Sequence, residues 1–141
     1  MNNLQSISLY FPEIILTILI IAVIIYDLLI DKSKSGNTGW LLSFGLLVVS
    51  FSIWKQGNIT TTLFTDAVVL DPFSSFFKQV IILATILVSI VSLYSDELTK
   101  YRKGEFFTLL GIITFGLFLM VSAVDLIILY ISIDIVSIMS F

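Results

Sequence analysis

Long apolar runs and short polar interruptions alternate along this chain, and the runs lie near the ~20 residues that a helix needs to cross a ~30 Å hydrocarbon core. The first covers about residues 12–30, with Pro12 at a first-turn position where its missing N–H costs nothing. The second, about 40–54, is short for a crossing and carries Trp40 and Trp54 at its ends, where indole rings prefer the membrane interface. A polar, threonine-rich connection over 55–72 leads to a third run at about 73–94. The charged loop 95–104 separates that run from a fourth at about 105–123, and a fifth extends over about 125–141. The runs are continuously apolar and do not alternate, and an open sheet edge has no hydrogen-bond partner in lipid, so helices are predicted. The expected fold class is all-α integral membrane, a single transmembrane domain over 1–141 with about five transmembrane helices.

Composition removes the soluble alternative. Hydrophobic residues make up 58% of the chain, charged residues 12%, and the mean hydropathy is +1.12, whereas ordinary soluble domains carry roughly 25% charge. A soluble domain of this size covers only ~70% of its unfolded surface on folding, so the remaining apolar surface must meet lipid. Cysteine and histidine are both absent. That excludes disulfides, thiolate and imidazole metal sites, and the usual holders of haem or iron–sulfur clusters, so any linked redox chemistry takes place elsewhere. The seven Lys and Arg residues are scattered over loops and form no basic groove, so no nucleic-acid partner is expected. Residues 1–10 carry no basic side chain and the apolar run after them lacks a small-residue cleavage site, so a retained span is expected in place of a signal peptide. Lys32 and Lys34 in the first loop, with Lys100, Arg102 and Lys103 in the third, outweigh Lys55 in the second. The positive-inside rule then puts loops one and three in the cytoplasm and the N-terminus and 55–72 outside.

Asp134 is the most informative ionisable residue. It sits nine positions into the fifth run, about 13 Å deep at 1.5 Å per residue, close to the bilayer midplane. An ionised carboxylate there costs at least ~2.5–3.5 kcal/mol, so it must be protonated, paired or wet. Tyr130 and Ser137 share its helical face, and this polar stripe is expected to face other helices or a water file. As a proton relay, Asp134 would use two opposed effects: desolvation disfavours the charged form and an approaching cation favours it. As helix glue, it would only hydrogen-bond a neighbour. Lys78, about one and a half turns into the third run, either pairs with a buried acid or, as position alone favours, snorkels to the outer headgroups. Glu13, Asp27, Asp71, Glu105 and Asp125 sit near span ends, where interfacial solvation is the expected role. Phe73, Phe76 and Phe77 read as an interface belt before a cofactor box, and Gly111 and Gly116 indicate close helix packing only weakly.

Several ordered segments together resemble a known family. They are Pro12, Glu13, Ile14, Ile15 and Leu16; the run Leu70, Asp71, Pro72, Phe73, Ser74, Ser75, Phe76, Phe77 and Lys78; Gly104, Glu105, Phe106 and Phe107; and Ser122, Ala123, Val124, Asp125 and Leu126 with Tyr130 and Asp134. Over most of its length the chain is similar to the N-terminal part of the N-type antiporter-like membrane subunit of NADH-quinone oxidoreductase, respiratory complex I. The resemblance implies part of a fourteen-helix subunit that couples quinone reduction to proton translocation along a charged axis at the membrane midplane. Asp134 matches a buried glutamate of the family's fifth helix, with a side chain one methylene shorter. Proton-relay candidates are Asp134, Tyr130, Ser137 and Lys78, and no catalytic, cofactor-binding or metal-binding residue is expected in this chain. NADH, FMN, iron–sulfur clusters and quinone would be used by other subunits. Expected partners are the other membrane-arm subunits, sister antiporter-like subunits among them, and the lipid bilayer. The expected location is the bacterial plasma (inner) membrane, with an organellar membrane as the alternative. The family's central lysines, broken helices and second inverted repeat would lie beyond Phe141, so the sequence is expected to be incomplete at its C-terminus. Two other functions fit the same residues: a related multisubunit cation/proton antiporter or membrane-bound hydrogenase, and a structural membrane piece without transport.

Overall fold

The structure, a computed structural model, describes residue 7 and residues 9–30, 36–57, 59–95 and 102–141. Lys32, Lys34 and Lys100, on which the predicted orientation leans, lie outside the described residues. Five long helices are found among the described residues: α1 Phe11–Leu29, α2 Gly36–Gln56, α3 Pro72–Leu93, α4 Lys103–Ser122 and α5 Leu126–Ser140. The first four are long and apolar enough to cross a membrane, which makes this a membrane-embedded, all-α bundle. The fifth has 15 residues and rises only about 22 Å.

Helix α2 begins four residues earlier and ends two later than its apolar run. One side of its polar first turn packs inside the protein: Thr38 is buried, and Gly39 lies so close to Phe107 and Leu93 that a Cβ there would overlap both side chains, while Asn37 is exposed. With 21 residues, α2 rises about 31 Å and spans the core. The connection before α3 contains a small antiparallel hairpin, β1 Thr61–Leu63 with β2 Val68–Leu70, in the register Thr61 to Leu70 and Leu63 to Val68. Its turn carries Phe64, Thr65 and Asp66 at positive φ of 53°, 58° and 65°, a left-handed run that non-glycine residues rarely adopt.

Helix α4 is central. It packs against α1, α2, α3 and α5, and α1 and α3 each also pack on α2. The apolar core takes Leu16, Leu19 and Val23 from α1, Leu42, Leu46, Val49 and Ile53 from α2, Ile82 from α3, and Phe107 and Phe118 from α4. The α2 set repeats at intervals of four and three, the spacing of a coiled-coil seam. Leu19 fits against the bare Cα of Gly45, bringing α1 and α2 into close approach, as small residues do between membrane helices. Gly116 does the same for α5, whose Ile135 and Val136 lie 3.0 and 2.9 Å from where its Cβ would be.

Helix α3 is turned inside out relative to a soluble helix. Its buried face is Ser74, Lys78, Ile82, Thr85, Ser89 and Ser92, while Phe73, Phe76, Leu83, Leu87 and Val91 point outward. An apolar exterior is favourable where the solvent is hydrocarbon, and the inward hydroxyls find partners across the helix contacts. Thr85 and Thr114 are 3.1 Å apart, Ser43 donates to Ser89 at 3.0 Å, and Ser50 and Gln79 exchange two hydrogen bonds at 2.6 and 2.8 Å.

Candidate functional site

The start of α3 is set locally. Asp71 is its N-cap, and its carboxylate accepts from the Ser74 N–H at 2.7 Å while the Asp71 N–H donates to Ser74 Oγ at 3.2 Å. This is a capping box, with Pro72 at the first helical position. The aspartate, proline and serine of that segment therefore have a structural role that fixes the phase of the helix. One turn beyond Ser74, that phase points Lys78 into the bundle.

Lys78 is 2% exposed and its ammonium forms an ion pair with the carboxylate of Glu13, itself 1% exposed. No other ion pair occurs among the described residues. Both α1 and α3 begin at the same end of the bundle, and Lys78 lies about 9 Å below the first residue of α3. Helical side chains lean toward the N-terminus, so the lysine stem rises toward the membrane surface as a snorkelling residue would. It ends on Glu13, short of the headgroups. The ammonium also lies 5.8 Å from the centre of the Phe118 ring, within cation–π range. Glu13 uses one oxygen for Lys78, and its Oε2 is buried without a hydrogen-bond partner, as is Ser122 Oγ, one turn beyond Phe118 on α4.

The interfacial roles expected for Glu13 and Lys78 are thus replaced by a pair closed off from both water and lipid. A small hairpin packs at the same end of the bundle. Leu63, Val68 and Leu70 of the hairpin are buried against Leu9, Tyr10 and Ile128. Val68 forms a bridge with Ala123, and the N–H groups of Val124 and Asp125 donate to the Ala67 carbonyl at 3.1 and 3.4 Å. The Tyr10 ring stands edge-on to Phe64 at 5.4 Å. Burial, and secondarily the charge of Glu13, push the Tyr10 hydroxyl above its ordinary pKa of 10.0. A sequence signal for Glu13 existed: it falls in helical register with Leu16, Leu19 and Val23, the core-facing positions of α1.

Asp134, Tyr130 and Ser137 do share one face of α5, but that face is turned away from the described helices. Tyr130 is 66% exposed, Ser137 is exposed and Asp134 is half-buried. None of the three makes a side-chain hydrogen bond or ion pair among the described residues. The inward side of α5 is packed through Ile135 and Val136 at Gly116, and the fully buried Ser132 satisfies its hydroxyl within the helix by donating to the Ile128 carbonyl at 2.6 Å. The structure therefore does not bring Lys78 and Asp134 together as an ion pair. The other span-end acids stay near helix ends. Asp125 caps α5 by accepting from the Ile127 N–H at 3.1 Å, and the Asp27 carboxylate packs on the Cα of Gly104 at the opposite end of the bundle. No cluster of three or more acidic, histidine or cysteine ligands exists among the described residues.

Comparison with known proteins places this geometry in context. No family model matches the chain. Over 133 residues, 94% of the chain, it is 28% identical to NADH-quinone oxidoreductase subunit N of Trichlorobacter lovleyi. It is 32% identical over 144 residues, 99% of the chain, to the protein of the same name from an Anaeromyxobacter species. It is 27% identical over 146 residues, 98% of the chain, to F(420)H(2) dehydrogenase subunit N of Methanosarcina mazei. The chain spans 27%, 27% and 29% of these relatives' lengths.

Proposed function

Because the chain resembles the N-terminal part of the N-type subunits of NADH-quinone oxidoreductases over nearly all of its length, we propose that it works as part of a proton-translocating membrane-arm subunit of such a complex. Electron transfer through NADH, FMN, iron–sulfur clusters and quinone belongs in this reading to other subunits, and proton movement is coupled to it through charged groups held inside the membrane. The observation that carries the ion-handling part is the complete burial of the Glu13–Lys78 pair in a bundle whose exterior is hydrocarbon-facing. Ionisable groups inside a membrane are costly and mark ion and proton pathways. Asp134 is the second centre, with Tyr130 and Ser137 as hydroxyl neighbours on its face. Other helices of the membrane arm, sister antiporter-like subunits among them, cover that face. The relatives' names include both an NADH and an F(420)H(2) dehydrogenase, which fits a chain that takes no part in choosing the electron donor. The membrane is the bacterial plasma membrane, with the hairpin end of the bundle outward.

The test uses inverted membrane vesicles containing the assembled complex, with quinone reduction and a fluorescent pH-gradient dye followed together. Asp134→Asn is expected to keep electron transfer and lose most of the proton gradient, and Asp134→Glu to retain both. Full coupling in Asp134→Leu, with the complex assembled normally, would refute the role of this carboxylate.

A further inference from the structure

A groove of about 350 Å³ runs between α1 and α2 at the hairpin end of the bundle. Its floor is apolar, built from Phe11 and Ile15 on α1 and Val48 and Phe51 on α2, and Phe11, Val48 and Phe51 are each about half exposed. Its upper wall is polar, with Ser52 and Lys55 on the same face of α2 as Val48. The top is closed where the Gln56 amide donates to the Leu9 carbonyl at 2.6 Å and ties the end of α2 to the start of α1. Trp54, 78% exposed beside Lys55, marks the level of the membrane interface. The groove therefore descends from headgroup depth into the hydrocarbon, about 10 Å from Lys55 to Val48.

We propose that this groove binds one glycerophospholipid, its phosphate on the Lys55 ammonium and one acyl chain along Ile15, Val48 and Phe51. Size selects an acyl chain over a protein helix. The volume is at the low end for ligand sites, and a helix about 10 Å across cannot enter a cleft that is shut at the top. Charge selects the phosphate. Lys55 is the one basic side chain at this end of the bundle, among the described residues, that is not consumed in an ion pair: Lys78 is bound to Glu13, and Arg102 and Lys103 lie at the other end. The Lys55 ammonium is folded back to 5.0 Å from the Phe51 ring, over the groove and at the depth where a phosphate would sit. The inference does not depend on proton translocation and survives if that reading fails.

The experiment is native mass spectrometry of the full assembly carrying this subunit, extracted in mild detergent, stripped of loose lipid and titrated with phosphatidylglycerol. Diacylglycerol with the same acyl chains and inorganic phosphate serve as separate probes. One phosphatidylglycerol should be lost from the tightly held set in Val48→Trp, which fills the floor with Lys55 intact. Lys55→Gln should weaken it about fivefold, the value of one interfacial lysine at a lipid surface. Equal retention in wild type and both variants would overturn the site, and so would diacylglycerol bound as tightly as phosphatidylglycerol, or inorganic phosphate held on its own. A photo-reactive benzoylphenylalanine in place of Phe51 should cross-link to lipid, and a polypeptide adduct at that position would overturn the choice of occupant.

Discussion

Breaking the Glu13–Lys78 pair from one side should damage the fold far more than removing it whole. Both side chains are almost fully excluded from solvent, at 1% and 2% exposure, so solvent screening offers a lone survivor no relief. Deleting one member of a buried pair costs about 3–5 kcal/mol, because it leaves an uncompensated charge, whereas replacing both with apolar residues of similar volume is neutral or stabilising by about 1–4 kcal/mol. Glu13→Leu and Lys78→Met should each lower stability by about 3–5 kcal/mol, about two to three and a half orders of magnitude in the folding equilibrium. The double variant should return close to the starting value. The assay is unfolding of the purified protein in mixed micelles titrated with a denaturing detergent, followed by far-ultraviolet circular dichroism, with the four proteins forming a double-mutant cycle. Two single variants within ~1 kcal/mol of wild type, or a double variant whose loss equals the sum of the singles, would refute the reasoning. The double variant also separates structure from transport. If the pair serves coupling, the complex should assemble around it and still build a weaker proton gradient per quinone reduced.

Two further outcomes follow from particular contacts. Gly45→Val places its side chain where Leu19 already sits, and overpacking at such a contact should cost about 1–3 kcal/mol in the same unfolding assay, with Leu19→Ala on the Gly45→Val background recovering part of it. Tyr10 has its hydroxyl pKa raised above the ordinary 10.0 by burial and by Glu13, so folding favours the neutral phenol. Its contribution is fully present below pH 10 and is lost as pH climbs beyond the unfolded value. Stability should therefore fall more steeply above pH 10 in the wild type than in Tyr10→Phe. Identical alkaline profiles for the two proteins would contradict the burial of Tyr10 beneath the hairpin.

The bundle was legible in the sequence because its main signal is length of uninterrupted apolarity, which lipid enforces over every span. The expected starts and ends of α1, α3, α4 and α5 lie within two residues of those observed. What escaped the pattern depends on contacts between distant segments. The first turn of α2 is polar and glycine-rich, and it becomes helical inside the protein because Phe107 and Leu93 close over Gly39. The hairpin is two three-residue strands in a threonine-rich stretch, too short for a periodicity to register, and its register is fixed by burial of Leu63, Val68 and Leu70. Glu13 stands in the first turn of α1, so its depth looked interfacial. Its burial rests on a contact distant in the chain, the pairing with Lys78 of α3.

The same burial constrains what Lys78 can do for Asp134. Each of them alone reads as a candidate for the other's counter-charge, since both are ionisable groups within apolar helices. Yet Lys78 is committed to Glu13, and moving its ammonium to another acid would leave the Glu13 carboxylate charged and uncompensated, at a cost of about 3–5 kcal/mol. That cost exceeds the typical ~1–3 kcal/mol of coupling between sites in allosteric proteins, so exchange of the lysine between the two acids is disfavoured. Asp134 has no hydrogen bond or ion pair among the described residues, and its stripe faces outward. Among the described residues the two acids are therefore separate: Glu13 is closed within the bundle on Lys78, and Asp134 stands half-buried on the outward stripe of α5.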